Sequence, residues 1–179
     1  MKKYNVWVIV WVFMISCATL NACNETDEDA TASDTAATAE FLKQATAADI
    51  FEITAGMMAE DQGDKQKIHS FGQQLVHVHS RTSEALTTLA RRKSVQLPEE
   101  ITVDKKRLIN QLEEKEGQEF DQAFTEVQIT AHQEAIALYE RADKEIQDAE
   151  IQGFVDQILP VLKEHLTEIQ QVQTEVISK

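Results

Sequence analysis

Five histidines carry most of the chemistry that this 179-residue chain could perform. Imidazole is a ligand for Zn, Cu and Fe, and helical bundles build such sites from side chains that face each other across the core. His79 lies four residues after Leu75 and seven before Leu86, so it shares their face of a helix. His165 lies three after Leu162 and four before Ile169. His132 lies three before Ala135 and eight after Phe124, at the flank of an apolar face. Glu52 interrupts a stripe of Phe41, Ala45, Ala48, Ala55 and Ala59. One inward polar residue on each of four helices is the pattern of a bundle metal site, here a mononuclear or labile Zn, Cu or Fe site on His79, His132, His165 and Glu52. The opposing reading hydrogen-bonds these histidines to neighbouring helices or to Glu52, and a satisfied buried polar group needs no ligand. The sequence favours this second reading, so no cofactor is expected and a transition metal is the alternative.

Counting along the helices tests the first reading. With a turn at Asp148, His132 lies 16 residues before it and His165 lies 17 after, so the two stand level. With a turn at Gln62, Glu52 lies 10 before and His79 lies 17 after. That mismatch is about 10 Å of helix axis, too far for one ion, and His69 suits Glu52 better. A di-iron centre needs Glu three residues before His in two helices, whereas Val76, Ile129 and Leu162 hold those places, which argues against ferritin-type iron oxidation. His77, two residues from His79, points to another side of the helix and reads as a surface residue. Met57 and Met58 are consecutive and read as core plus rim, not as a copper pair. The chain has no Gly-rich phosphate loop, no G-x-S-x-G elbow, no H-E-x-x-H and no cysteine after Cys23. No reaction is named by these residues, and a non-enzymatic protein is the expectation.

The elements that must position the histidines are helices. Five Gly, two Pro and 6% aromatic residues are too few for a sandwich or barrel, which needs turn residues every 8–12 positions. From Glu40 onward, apolar residues recur at three- and four-residue steps. A first helix runs from residue 40 to Gly63, and a second over about 64–92 ends in Arg91, Arg92 and Lys93, which complement the helix dipole. Pro98, Glu99 and Glu100 signal a short helix reaching Glu116, where Gly117 breaks it. A third long helix is expected over about 119–146 and a fourth over about 150–177, the latter kinked near Pro160. Two tight hairpins joined by a long crossover make an all-α fold of the ferritin-like four-helix-bundle type, with a short extra helix in the crossover.

Several stretches occur in an order and spacing that resemble a known group. They are Ala47-Ala48-Asp49-Ile50-Phe51-Glu52, Ile68-His69-Ser70-Phe71 and Leu75-Val76-His77-Val78-His79-Ser80 in the first half. The second half adds Phe120-Asp121-Gln122-Ala123-Phe124, Ala131-His132-Gln133 and the run from Leu159-Pro160 through His165-Leu166. Over about residues 40–175 the chain resembles an uncharacterised ferritin-like family of exported bacterial proteins, a domain of unknown function. That family usually carries Asp before the second-helix histidine, where this chain has Val78. The resemblance implies a helical fold and an envelope location, not a chemistry.

The N-terminus supplies an address. Lys2 and Lys3 precede an apolar run over 6–20, too short for a bilayer span of about 20 residues and matched to the h-region of a signal peptide. Leu20-Asn21-Ala22-Cys23 resembles a bacterial lipobox, although Asn21 is unusual there, and it implies that Cys23 is acylated and becomes the mature N-terminus. Residues 1–22 are thus read as a lipoprotein signal, 23–39 as an acidic flexible tether, and 40–179 as the bundle. Loss of Lys2 and Lys3 takes the 17 basic residues to 15 against 31 acidic ones, moving the net charge from −14 to −16. Such a balance argues against nucleic acid as a partner. The expected partners are a membrane reached through the lipid and, by its acidic surface, a basic envelope protein. The expected role is an accessory or stress-related one on the outer-membrane or periplasmic side. Replacing Cys23 with Ala is expected to move the protein from the membrane fraction to the soluble fraction; a variant that stays with the membrane contradicts acylation there.

Overall fold

In the computed structural model, residues 25–177 are described, with side chains from Asp34 onward. The apolar run, Cys23 and the signal reading lie outside the described residues. Five helices follow one another: α1 (Glu25–Gln62), α2 (Gln66–Lys93), α3 (Val103–Glu113), α4 (Gly117–Glu145) and α5 (Ala149–Ile177). No strand occurs among the described residues, so the all-α expectation holds. None of these helices is long and apolar enough to cross a membrane.

Part of the segment read as an acidic tether is helical. Helix α1 begins at Glu25 and continues without a break through residue 39. Alanine, the strongest helix former, is frequent there, and the helix is tied down where it passes the far hairpin. Asp34 Oδ1 accepts a 2.7 Å hydrogen bond from the Gln147 backbone N–H, Thr38 is buried, and Ala37 packs on the core.

Short turns make two antiparallel hairpins, α1 with α2 and α4 with α5, and α1 also packs on α4 while α2 meets α5. The first hairpin is tight because Gly56 and Gly72 face each other. A Cβ on Gly72 would sit 2.6 Å from the Gly56 carbonyl oxygen, and one on Gly56 would sit 2.9 Å from that of Gly72. Across the bundle end, the buried Asp121 carboxylate accepts from the Asp64 and Lys65 backbone N–H groups at 2.9 and 3.0 Å. These donors would otherwise be orphans at the start of α2. The crossover leaves α2 through Ser94, whose φ of 57° is left-handed, and Thr102 caps α3 by accepting from the Lys105 N–H.

The core has two apolar halves. One gathers Phe41, Leu42, Leu86, Tyr139, Ile151 and Phe154; the other gathers Phe51, Phe71, Leu75, Phe120, Phe124 and Ile169. Between them lies a layer of buried polar side chains: Asp49 and Glu52 on α1, His79 and Thr82 on α2, Gln128 and His132 on α4, and His165 on α5. Gly72→Ala is expected to force α1 and α2 apart and to cost about 1–3 kcal/mol, the usual penalty of overpacking. Urea unfolding checks this, and an unchanged midpoint contradicts the close approach.

Candidate metal centre

The polar layer is built from the helix register. Helix α1 ends at Gln62 and α2 starts at Gln66, so Asp49 and His79 lie equally far from the turn. Their side chains meet: His79 Nδ1–H donates to Asp49 Oδ1 at 2.8 Å, and the second carboxylate oxygen accepts from Thr82 Oγ1 at 2.6 Å and Ser83 Oγ at 3.3 Å. In the other hairpin, His132 Nδ1–H donates to the Gln128 carbonyl at 2.9 Å. A carbonyl only accepts, so in the neutral ring the lone pair of His132 is on Nε2. That Nε2 stands 3.4 Å from His165 Nδ1.

His79, His132 and His165 come together. One ring nitrogen from each lies within 4.8 Å of the others, and the three rings are 3%, 0% and 1% exposed. His79 Nε2 is buried and has no hydrogen-bond partner among the described residues. Two nitrogens bound at about 2.05 Å to a tetrahedral ion stand about 3.3 Å apart, close to the His132–His165 separation of 3.4 Å. The hydrogen bonds behind two of the rings, to Asp49 and to Gln128, are the supports that orient metal-binding imidazoles. Phe71 closes one side, with its ring centroid 6.1 Å from His132 and 5.9 Å from His165.

Glu52 takes a different place from that of a fourth ligand. Its Oε1 is 3.8 Å from His132 Nδ1, the nitrogen turned away from the other rings, and it is not among the three converging groups. His69, which counting had paired with Glu52, instead donates from Nδ1 to the Glu60 carbonyl at 2.9 Å. His77 is exposed, as expected, and Met57 and Met58 are rim and core. The residue that counting missed is Asp49. Its signal was present, since it falls three before Glu52 and four after Ala45, but placing the turn at Gln62 instead of at the centre of 63–65 hid its match with His79.

Burial sets the protonation of this layer. It pushes Glu52 from 4.5 to about 7, against the opposing pull of the His79 charge, the Gln128 carboxamide and Lys105. It also works against a charge on His79, but the Asp49 hydrogen bond and the charges of Glu52 and Asp49 outweigh it and hold His79 above its usual value. Burial, then the charge on His79, lowers His132 to about 4. Burial, then His132 and His79, lowers His165 to about 3.

A family described as a domain of unknown function, DUF4142, matches residues 23–172. The chain belongs to the DUF4142 family. No curated protein and no solved structure matches it. The DUF4142 assignment agrees with the resemblance to an uncharacterised family and supplies no reaction.

The depressed histidines make the fold sensitive to acid. As pH falls from about 6.5 toward 4, the unfolded chain protonates His132 and His165 while the native chain keeps them neutral, so stability is lost. Glu52 acts in the opposite sense: between about 4.5 and 7 the native chain holds a proton that the unfolded chain has released, so its contribution falls as pH rises. His165→Asn is expected to flatten the fall of Tm between pH 6.5 and 4.5 by about one proton, and Glu52→Gln to steepen it. Thermal melts across that range check both; a His165→Asn slope equal to wild type contradicts a neutral buried His165.

Proposed function

We propose that the protein is a lipid-anchored component of the bacterial cell envelope whose ferritin-like four-helix bundle binds a transition ion, Zn, Cu or Fe, on His79, His132 and His165. The single observation behind this reading is the 3.4 Å approach of His132 Nε2 and His165 Nδ1 with a third buried imidazole nitrogen in reach. Three neutral imidazoles are a borderline-soft donor set, suited to these ions and poor for Mg or Ca, which prefer oxygen. An ion takes the position that a proton would hold on His79 Nε2, so loading releases a proton where that nitrogen carries one. The anchor is supported by the Leu20–Cys23 motif, and the order of two hairpins and a crossover supports the ferritin-like designation. The role is accessory: holding or passing on the ion, with redox use open to Cu or Fe.

A structural reading also has an observation in its favour, since Asp49 and the Gln128 carbonyl already satisfy one nitrogen each of His79 and His132. The two readings part on metal content. Tag-free protein is expected to hold about one transition ion per chain, and His132→Ala/His165→Ala to lose it. Asp49→Asn is expected to weaken binding about 10–100-fold, the usual effect of removing such a support. Elemental analysis with competitive titration checks this. Metal-free protein whose stability is unchanged by EDTA contradicts the metal reading.

A further inference from the structure

A groove of about 600 Å³ lies between α1 and α4, under the crossover segment at Pro98 and Thr102. Its walls are apolar because alanines face each other across it, Ala47 and Ala48 from α1 and Ala131 and Ala135 from α4, with Leu138 beside them. Phe51 and Glu52 also line it. Glu52 is 3% exposed, and its Oε2 has no hydrogen-bond partner among the described residues. A buried polar oxygen left without a partner is unfavourable, and a ligand's hydrogen bond would remove that penalty.

The groove has a second polar end. Contacts of Asp34 with Gln147 and of Asp64 with Asp121 show that α1 and α4 run antiparallel. In that register Lys43 stands opposite Arg141, and Glu52 opposite His132. Lys43 and Arg141 line the groove, are exposed, and form no ion pair among the described residues. The third base, Lys105, is already used: it pairs with Glu134 at 2.6 Å and lies 4.7 Å from the centroid of the Phe51 ring. Lys43 precedes Glu52 by nine residues, about 13 Å of helix axis.

We propose that this groove binds an elongated apolar hydroxy acid, its carboxylate between Lys43 and Arg141 and its distal hydroxyl on Glu52. Glu40 also lines this end, its Oε1 taken by Gln44 Nε2 at 2.5 Å, so the two unpaired bases leave the end net positive and favour an anion. The alanine walls select an unbranched hydrocarbon body of roughly ten carbon–carbon bonds of about 1.5 Å, shortened by their zigzag to the 13 Å span. A hydroxyl suits Glu52 because it both donates and accepts, so it satisfies a carboxylate or a carboxylic acid alike. The site does not depend on an ion at the histidines.

Isothermal titration of the purified protein, with EDTA present, uses 10-hydroxydecanoate, decanoate and decylamine as probes. The expected result is one-to-one binding of 10-hydroxydecanoate, about tenfold weaker binding of decanoate, and none of decylamine. Lys43→Glu/Arg141→Glu, two exposed positions, is expected to weaken the hydroxy acid about tenfold or more with Tm unchanged. Ala135→Phe fills the groove and abolishes binding, with circular dichroism confirming the fold. Absence of 10-hydroxydecanoate binding, equal affinity for decanoate or decylamine, or charge reversal without effect each overturns the proposal.

Discussion

A layer of charged and polar side chains across the middle of an otherwise apolar core is the constraint on which the rest of the structure depends. Its anchor is the buried pair of Asp49 and His79, which joins α1 to α2 by a 2.8 Å hydrogen bond at under 5% exposure of either residue. Taking such a pair out of water costs several kcal/mol per ion unless hydrogen bonds satisfy what remains, and Thr82 and Ser83 do so for Asp49. The far side of His79 has no such partner among the described residues. The apolar halves on either side, centred on Phe41 and Phe154 and on Phe71 and Phe124, supply the burial that holds the layer in place.

Helix register turns that constraint into a site. Gly56 and Gly72 let α1 and α2 approach closely, and the short turn after Gln62 sets Asp49 level with His79. The turn between α4 and α5 does the same for His132 and His165. Asp121 and Asp34 then tie one hairpin to the turn of the other at opposite ends, bringing three histidines from three helices to one point. The backbone carbonyl of Gln128 and the carboxylate of Asp49 leave the remaining nitrogens of two rings facing inward. This is the same arrangement that orients imidazoles around an ion.

The helices were legible from their three- and four-residue apolar steps, and the ends of the four long helices fell within a few residues of expectation at all but one terminus. That terminus, the start of α1, was obscured because Ala, Thr and Asp carry no apolar stripe; the contact of Asp34 with Gln147, which a single sequence does not display, is what commits the segment. The level placement of His132 and His165 followed from counting, since one turn separates them. His79 did not, because shifting the turn by two residues moves its level partner by four, about 6 Å of axis, from Ala45 to Asp49. Glu52 was found as an inward acid, yet its separation from the three nitrogens needs side-chain geometry. The groove it also lines arises from alanines on two helices far apart in sequence, which periodicity alone reads as ordinary core.

Membership in DUF4142 leaves the chemistry to these residues. The central claim is that three imidazoles from α2, α4 and α5 share one ion. X-ray absorption at the edge of the bound metal tests it most directly, because nearby nitrogen scatterers and the outer shells of imidazole rings are read from the ion itself. Three imidazoles at about 2.0–2.1 Å are predicted for Zn. A shell of oxygen alone, or a spectrum unchanged by His79→Ala, contradicts it.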